Sequence, residues 1–553
     1  MPVKLIDSTP GAYAYPLLIK QLLHTPLAFA PDQEITYMGK RRHTYRAMRE
    51  RLGRLANALT ALGVEAGDTV AMMDWDSHRY LECFFAVPMM GAILQTVNVR
   101  LAPEQILYTL NHARADVVLV NAEFFPIVAA IASRLETVRR FVLIEDAPAE
   151  GPPPVDFSGE YEALLAAAAV DYDFPDFDEN AKATTFYTTG TTGLPKGVYF
   201  SHRQLVLHTL SVAAGLGNAP VQGRLHRDDV YMPITPMFHV HAWGLPYVAT
   251  MLGLKQVYPG RYVPETLLKL VRDENVTFSH CVPTILHMLL VHPLSKVIDL
   301  SRWKLIIGGS ALSQAQARTA MQRGIDAFTG YGMSETCPIL SLAQLPTAAL
   351  EATPEEQAAL RAKTGIPLPL VDARVVNENM AELPHDGRSV GEVVVRSPWL
   401  TQGYLHDPQA SEALWAGGRL HTGDIGHIDA AGYLQITDRI KDVIKTGGEW
   451  TSSLQIEEVV AQHPAVADVA VIGVPDEKWG ERPLAKVTLK PESVGRVTEH
   501  EIRNFSARLI ESSGISRYGV LLQVHFVDAL VRTSVGKLNK RAMREGHEAA
   551  GKA

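Results

Sequence analysis

The apolar positions of this chain follow two rhythms. Tyr45, Met48, Leu52, Leu55, Leu59 and Leu62 recur at alternating steps of three and four, which is the spacing of one helix face. Thr44 stands ready as an N-cap and Gly63 as a stop, so an amphipathic helix with a core-facing stripe is predicted between them. The second rhythm is that of short buried strands: Asp116-Val-Val-Leu-Val, Phe141-Val-Leu-Ile and Lys304-Leu-Ile-Ile. Strands of this kind separated by helical patterns predict parallel sheets covered on both faces. Ser201-His-Arg-Gln204 has the form of a capping box and opens a further helix. Residues 145–160, with Pro152-Pro-Pro154, are expected to be a surface loop. Residues 346–363, rich in Ala, Glu and Pro, are expected to be an exposed helical excursion. There is no internal repeat.

Past Asp438-Arg-Ile-Lys-Asp442 the pattern changes. Strand-like Val466 to Val474 and Lys486 to Leu489 precede a helical stretch from Glu501 to Ile510, and strand-like Gln523 to Val527 follows. About 110 residues suit a small α+β domain. The expected fold class is therefore α/β: a large N-terminal domain of layered sheets and helices over 1–438, a connection at 439–442, and a small domain over 443–553.

Composition narrows the function. A chain of 553 residues needs more than one core. A net charge of −8 argues against broad nucleic-acid binding, which needs a basic face, but leaves room for local phosphate pockets. Cys83, Cys281 and Cys337 are far apart and odd in number, so neither zinc spacing nor a disulfide framework arises, and a reducing cytoplasm is expected. The opening residues lack a basic stretch followed by an apolar run, so no signal peptide is expected. No apolar run approaches the roughly 18 residues of a membrane span. Peripheral membrane contact stays open.

The densest chemistry lies between Tyr187 and Val198: four threonines, three glycines and one lysine in twelve residues, between two strand-like segments. A loop of glycines can turn its backbone N–H groups onto phosphate oxygens, with hydroxyls and an ammonium closing the cradle. It is not the common P-loop pattern, because Pro195 interrupts it. Lys304-Leu-Ile-Ile-Gly-Gly-Ser-Ala311 puts glycines at the carboxyl end of a buried strand, the edge where open α/β sheets hold ligands. In Thr329-Gly-Tyr-Gly-Met-Ser-Glu-Thr336, Tyr331 can stack on a purine and Glu335 can hold a divalent cation bridging phosphates.

Pro236-Met-Phe-His-Val-His-Ala-Trp243 reads in two ways. Its His-x-His suits a metal pair, yet the Asp-His that would continue such a motif is absent. Its Trp suits either core or a pocket wall. His421-Thr-Gly-Asp424 and Arg439 carry groups suited to a ribose, and Lys537, after Gly536, offers an ammonium for an oxyanion.

As a set, and in this order, these segments resemble the adenylate-forming family of acyl-CoA synthetases, luciferases and peptide-synthetase adenylation domains, from about Thr44 to Arg544. Pro236 to Trp243 and Gly447-Gly-Glu-Trp-Thr-Ser-Ser453 bring the resemblance closest to medium- or long-chain fatty acyl-CoA synthetases. The resemblance implies that Thr189 and Glu335 bind Mg²⁺, and that Thr188, Thr189, Gly190, Thr191, Thr192, Gly193 and Lys196 hold the phosphates. It puts Val240, Trp243, Gly309, Ser310, Ala311, Gly330, Gly332, Met333 and Ser334 around the adenylate, with Tyr331 against adenine. Asp424 and Arg439 would hold the ribose. Lys441 would be the hinge of a mobile lid, whose Lys445 and Trp450 enter in a second orientation. Lys537, Glu335 and His239 are the implied catalytic residues. Two positions depart from the pattern: His241 stands where the nearest relatives have asparagine, and Ser334 replaces the commoner threonine.

The implied reaction is ligation of a carboxylic acid to coenzyme A through an acyl-adenylate, using ATP and Mg²⁺, in a cytoplasmic homodimer. Other readings are an aryl or small acid, a non-CoA acceptor, a luciferase-like oxygenase, a nucleotide sensor, and a metallohydrolase built on His239 and His241.

Overall fold

A computed structural model describes residues 3–147, 151–188, 194–220, 224–446, 449–512, 517–532 and 538–551. Four sheets organise them. The first has six strands in the order Arg140–Ile144, Val117–Asn121, Thr69–Met73, Ile93–Thr96, Lys182–Tyr187 and Gly197–Ser201. Its first five strands are parallel and the last is antiparallel. The second has nine strands. Its middle runs parallel from Asp326–Gly332 through Lys304–Ile307, Phe278–Cys281, Val230–Pro233 and Lys255–Tyr258 to Glu34–Tyr37, and its edges turn antiparallel.

The helix predicted after Thr44 spans Tyr45–Ala61, with the Thr44 hydroxyl accepting the Ala47 N–H. Its stripe of Tyr45, Met48, Leu52, Leu55 and Leu59 is buried, as the spacing requires. The Ser201–Gln204 capping box is present in both directions. Between residues 346 and 363 lies a helix, Pro354–Arg361, that is less exposed than expected. Ala358 is buried and Arg361 pairs with Asp326, so one side of the helix packs against the helix Gln314–Gln322 and the start of strand Asp326–Gly332. The stretch after Glu145 is likewise not all surface: Phe157 stacks on Phe125 with ring centroids 5.6 Å apart.

The third sheet is fully antiparallel, with strands Asp372–Val376, Gly391–Arg396, Leu420–Ile428 and Leu434–Arg439. No alternation at the sequence level announced it. The fourth sheet begins at Ile444 and holds the long hairpin Val466–Asp476 with Gly480–Leu489, joined in parallel by Gln523–Phe526. It encloses an apolar core of its own, including Ile444, Ile456, Val471, Val487 and Ile502. The architecture is thus a large N-terminal domain of three sheets and a smaller C-terminal one.

Candidate active site

The site gathers at the carboxyl ends of the parallel strands, where the backbone leaves the sheets and side chains can converge. Strands Lys182–Tyr187 and Gly197–Ser201 form the hairpin that carries the loop expected to hold phosphates. Its tip, with Thr189, Gly190, Thr191, Thr192 and Gly193, lies outside the described residues. At its base the Thr188 N–H donates to the Lys196 carbonyl at 2.9 Å. The Lys196 ammonium stands 4.5 Å above the centre of the Tyr404 ring and 3.8 Å from Asp407 Oδ2. Tyr404 in turn donates its hydroxyl to Glu335 Oε1 at 2.7 Å. Lysine and glutamate, 139 positions apart in the chain if counted along the sequence numbering, therefore meet through one tyrosine. Glu335 is only 7% exposed. Burial and the neighbouring Glu335 carboxylate hold the Tyr404 hydroxyl above its ordinary pKa, which keeps it a donor.

A second group forms where the antiparallel sheet faces strand Asp326–Gly332. Asp424 and Arg439 are register partners on adjacent strands, and Arg439 Nε lies 3.1 Å from Asp424 Oδ1. The other carboxylate oxygen accepts the Tyr331 hydroxyl at 2.7 Å. Asp424 is buried while Arg439 stays half-exposed. Burial, then Asp424, raises the Tyr331 hydroxyl well above its ordinary pKa, so it too remains protonated.

The third group explains the glycines. A Cβ at Gly308 would lie 2.6 Å from the Gly330 carbonyl oxygen and 2.9 Å from Trp243 Cη2. Gly309 has φ +79°, which a side chain would strain. Trp243 is buried and its ring centroid lies 5.0 Å from that of His280. It belongs to a left-handed turn: Val240, His241, Ala242 and Trp243 all have φ between 47° and 59°, before Gly244 at 74°. Such residues cost about 1–2 kcal/mol each without a glycine, so this turn is strained and must be held by its surroundings. His241 is fully buried between the rings of Phe84, Phe186 and Tyr247. Burial lowers its pKa to about 3, and neither ring nitrogen has a partner among the described residues. It is a neutral imidazole in aromatic surroundings. His239 precedes the turn in an extended conformation and is partly exposed.

The remaining predicted residues fall as follows. Gly332, Met333 and Ser334 lead from the strand into the short helical turn that carries Glu335, and all three are partly exposed. Ser310 and Ala311 are exposed just beyond Gly309. Lys441 is exposed in the connection after Arg439, beside Asp442, which pairs with Arg544 at 2.8 Å. Lys445 and Trp450 are register partners on the two strands of the first hairpin of the small domain, on another sheet from the Tyr331–Asp424 pair. Lys537 lies outside the described residues. Sequence reasoning missed Tyr404, Asp407 and Gly308. Gly308 stood in a motif already singled out, whereas Tyr404 and Asp407 sit in an unremarkable loop whose pairing with Gly197 and Val198 is purely tertiary.

A Gly/Thr-rich hairpin, a buried glutamate beside it and a buried carboxylate paired with an arginine fit the class of adenylate-forming enzymes. The chain belongs to the AMP-binding enzyme family, whose model matches residues 25–405, while the model of the AMP-binding enzyme C-terminal domain matches residues 455–537. It is 40% identical to a long-chain-fatty-acid–CoA ligase of Thermus thermophilus over 92% of this chain and 90% of that one. It is 38% identical to a 3-methylmercaptopropionyl-CoA ligase of Ruegeria lacuscaerulensis, over 89% of each. Its fold matches the crystal structure of the anthranilate CoA ligase AuaEII in complex with anthranoyl-AMP, with a TM-score of 0.83 at 23% identity, covering 98% and 99% of the two chains.

Proposed function

We propose that this chain is an AMP-forming acid–CoA ligase whose acid is a fatty acid. The observation that carries the reading is the convergence of Lys196, Tyr404 and Glu335 at the Gly/Thr-rich hairpin, with Asp424 and Arg439 joined to Tyr331 on the strand that leads to Glu335. ATP would lie with its ribose hydroxyls on Asp424 and its phosphates along Thr188 to Lys196. The acid's carboxylate then attacks the α-phosphate, pyrophosphate leaves, and the CoA thiol displaces AMP from the acyl-adenylate. Two anions must meet in the first step, so positioning and charge neutralisation carry it. Lys196 neutralises phosphate charge, and Lys537, delivered by the small domain, does so at the α-phosphate.

The donor set fits Mg²⁺. Glu335 is a buried carboxylate with one oxygen held by Tyr404, and among the described residues no group of three or more His, Cys, Asp or Glu forms a closed cage. A metal shared with substrate phosphates needs only one or two carboxylates. Glu335 with Thr189 would hold it, and bound there it would neutralise charge on the phosphate oxygens.

Two features support a fatty acid: the apolar side chains of Val240 and Trp243 at the turn expected to border the acid, and the 40%-identical relative named for long-chain acids. Rotation of the small domain about Lys441 between the two half-reactions, a cytoplasmic homodimer, and free CoA as acceptor complete the reading. The three cysteines are free and buried, in keeping with a reducing compartment. Among the described residues no helix is long and apolar enough to cross a membrane. The test is pyrophosphate release with and without CoA, over straight-chain acids from acetate to palmitate and a set of aryl acids. Acid-dependent release with CoA-dependent turnover on medium or long chains supports the reading. Preference for short, sulfur-bearing or aryl acids would refute the fatty-acid assignment, and the absence of acid-dependent release would refute the reaction.

A further inference from the structure

The segment that leads into the strained turn Val240–Trp243 is held by two side chains that come from the other parallel sheet. Asp76 follows strand Thr69–Met73 and Thr96 ends strand Ile93–Thr96, so both stand at the carboxyl edge of neighbouring strands. Both are buried, at 2% exposure each. Asp76 Oδ1 accepts the Met237 N–H at 2.8 Å, and Oδ2 accepts the Tyr262 hydroxyl. Thr96 donates its hydroxyl to the Phe238 carbonyl at 2.9 Å. Successive backbone groups of the segment leading into the turn, one N–H and one C=O, are thus fixed from across the inter-sheet boundary. The Asp76 carbonyl also accepts the Gly260 N–H at 2.9 Å, which ties the aspartate's own backbone to the sheet that carries the turn. At the far end of the turn the His208 ring leaves no space for a Cβ at Gly244, coming within 2.8 Å of where it would be.

We propose that Asp76 and Thr96 are positioning residues for the acid substrate. They hold Met237 and Phe238 so that the left-handed turn keeps Val240 and Trp243 at the acyl side of the adenylate site. A buried carboxylate accepting two hydrogen bonds is well suited to this, because losing it strands both donors in an apolar interior. The turn cannot supply the restraint itself, since every one of its non-glycine residues would relax to a right-handed or extended conformation if released. This inference rests on the reading that Val240 and Trp243 line the acid pocket.

Four variants test it: Asp76→Ala, Thr96→Val, Asp76→Asn and Trp243→Ala. Each is assayed for KM of ATP, for KM of each acid from acetate to palmitate, and for thermal stability. Asp76→Asn keeps the shape, offering a carbonyl to Met237 and an amide to the Tyr262 oxygen, so it should stay close to the parent enzyme. Asp76→Ala should raise the acid KM about tenfold or more, as sub-ångström misplacement of a pocket wall does, and should leave the ATP KM nearly unchanged. Its chain-length profile should shift in the same direction as that of Trp243→Ala. Thr96→Val should do the same more weakly. If Trp243→Ala changes the acid profile while Asp76→Ala and Thr96→Val alter acid and ATP alike, the positioning role is refuted and the pocket stands. If Trp243→Ala leaves the acid profile unchanged, the pocket assignment fails and the positioning role fails with it. If Asp76→Ala does not fold, Thr96→Val and Asp76→Asn decide: an unaltered acid profile in Thr96→Val would overturn the proposal.

Discussion

Asp424→Asn is the sharpest probe of the nucleotide end of the site. In the structure each carboxylate oxygen is engaged, Oδ2 by the Tyr331 hydroxyl at 2.7 Å and Oδ1 by Arg439 Nε at 3.1 Å. The amide keeps an acceptor for Tyr331 but turns a charge-assisted hydrogen bond into a neutral one, a loss of about 1 kcal/mol. Its NH₂ group then faces the guanidinium, donor against donor. Arg439 is half-exposed, so water screens that loss and it adds roughly 0–1 kcal/mol. Folding stability should therefore fall by only about 1–2 kcal/mol. The nucleotide should lose more. A ribose presents two hydroxyl donors: at the amide oxygen one exchanges a charged acceptor for a neutral one, and at the NH₂ group the other loses its acceptor, each change costing about 1–1.5 kcal/mol. Together these lower kcat/KM for ATP on the order of 30- to 150-fold, at 1.4 kcal/mol per tenfold. Pyrophosphate release against ATP at saturating acid gives this number. The control is release against acid at saturating ATP, which should change far less. Equal loss on both axes, or an ATP dependence like that of the parent, would refute the assignment of Asp424 to the ribose.

Three further predictions concern other parts of the molecule. Lys537→Ala should cost about 10²–10³ in acyl-adenylate formation yet still convert supplied acyl-AMP and CoA to thioester; equal loss of both half-reactions would contradict the two-orientation mechanism. Lys441→Pro, which fixes φ and removes an N–H, should spare adenylation and sharply slow thioester formation, whereas a parallel fall in both would indicate misfolding or a direct binding role. Asp76 should leave a mark on stability against pH. Burial pushes its carboxyl up to about 7 despite hydrogen bonds from Tyr262 and Met237 and the nearby Arg100 cation, with Asp74 adding to the rise. Between its unfolded pKa and about 7 the folded state binds the extra proton, so this group's contribution declines as pH rises through that window. Asp76→Asn should therefore gain in melting temperature relative to the parent between pH 5.5 and pH 8; a variant-minus-parent difference that stays constant or falls with rising pH would contradict the buried-charge assignment.

Much of this architecture could be read in the chain, for physical reasons that differ by element. The helix over Tyr45–Ala61 was legible because one face is buried along its whole length and Thr44 caps it. Lys304–Ile307 was legible because a parallel central strand is apolar on both faces, giving an uninterrupted run. The sheet formed by Asp372–Val376 and its three neighbours was not, since its strands carry charged partners such as Asp372 with Arg419 and lack clean alternation. In the site, Tyr331, Glu335, Asp424 and Arg439 were named from their motifs. What joins them was not legible: Tyr404 reaches Glu335 only because a loop pairs with the phosphate hairpin. The left-handed turn was equally hidden, because Val-His-Ala-Trp contains no glycine to announce positive φ.

For the proposed rotation of the small domain, one set of contacts between the two domains would have a kinetic meaning. The Asp438 carboxylate accepts both the N–H and the hydroxyl of Ser453, Ser452 donates its hydroxyl to the Thr437 carbonyl, and Lys540 bonds to Ser453 and pairs with Glu457. Asp438 and Thr437 end the last strand of the large domain, whereas both serines open a helix of the small one. Bonds that bridge a connection act as a detent: the deeper they make one resting position, the longer the enzyme dwells there and the slower it advances to the next. Throughput in a two-stroke cycle is greatest when neither position is a trap. Weakening this detent by Ser453→Ala would thus trade one stroke against the other, and natural variation at positions 438 and 453 would tune the cycle's tempo without touching a substrate.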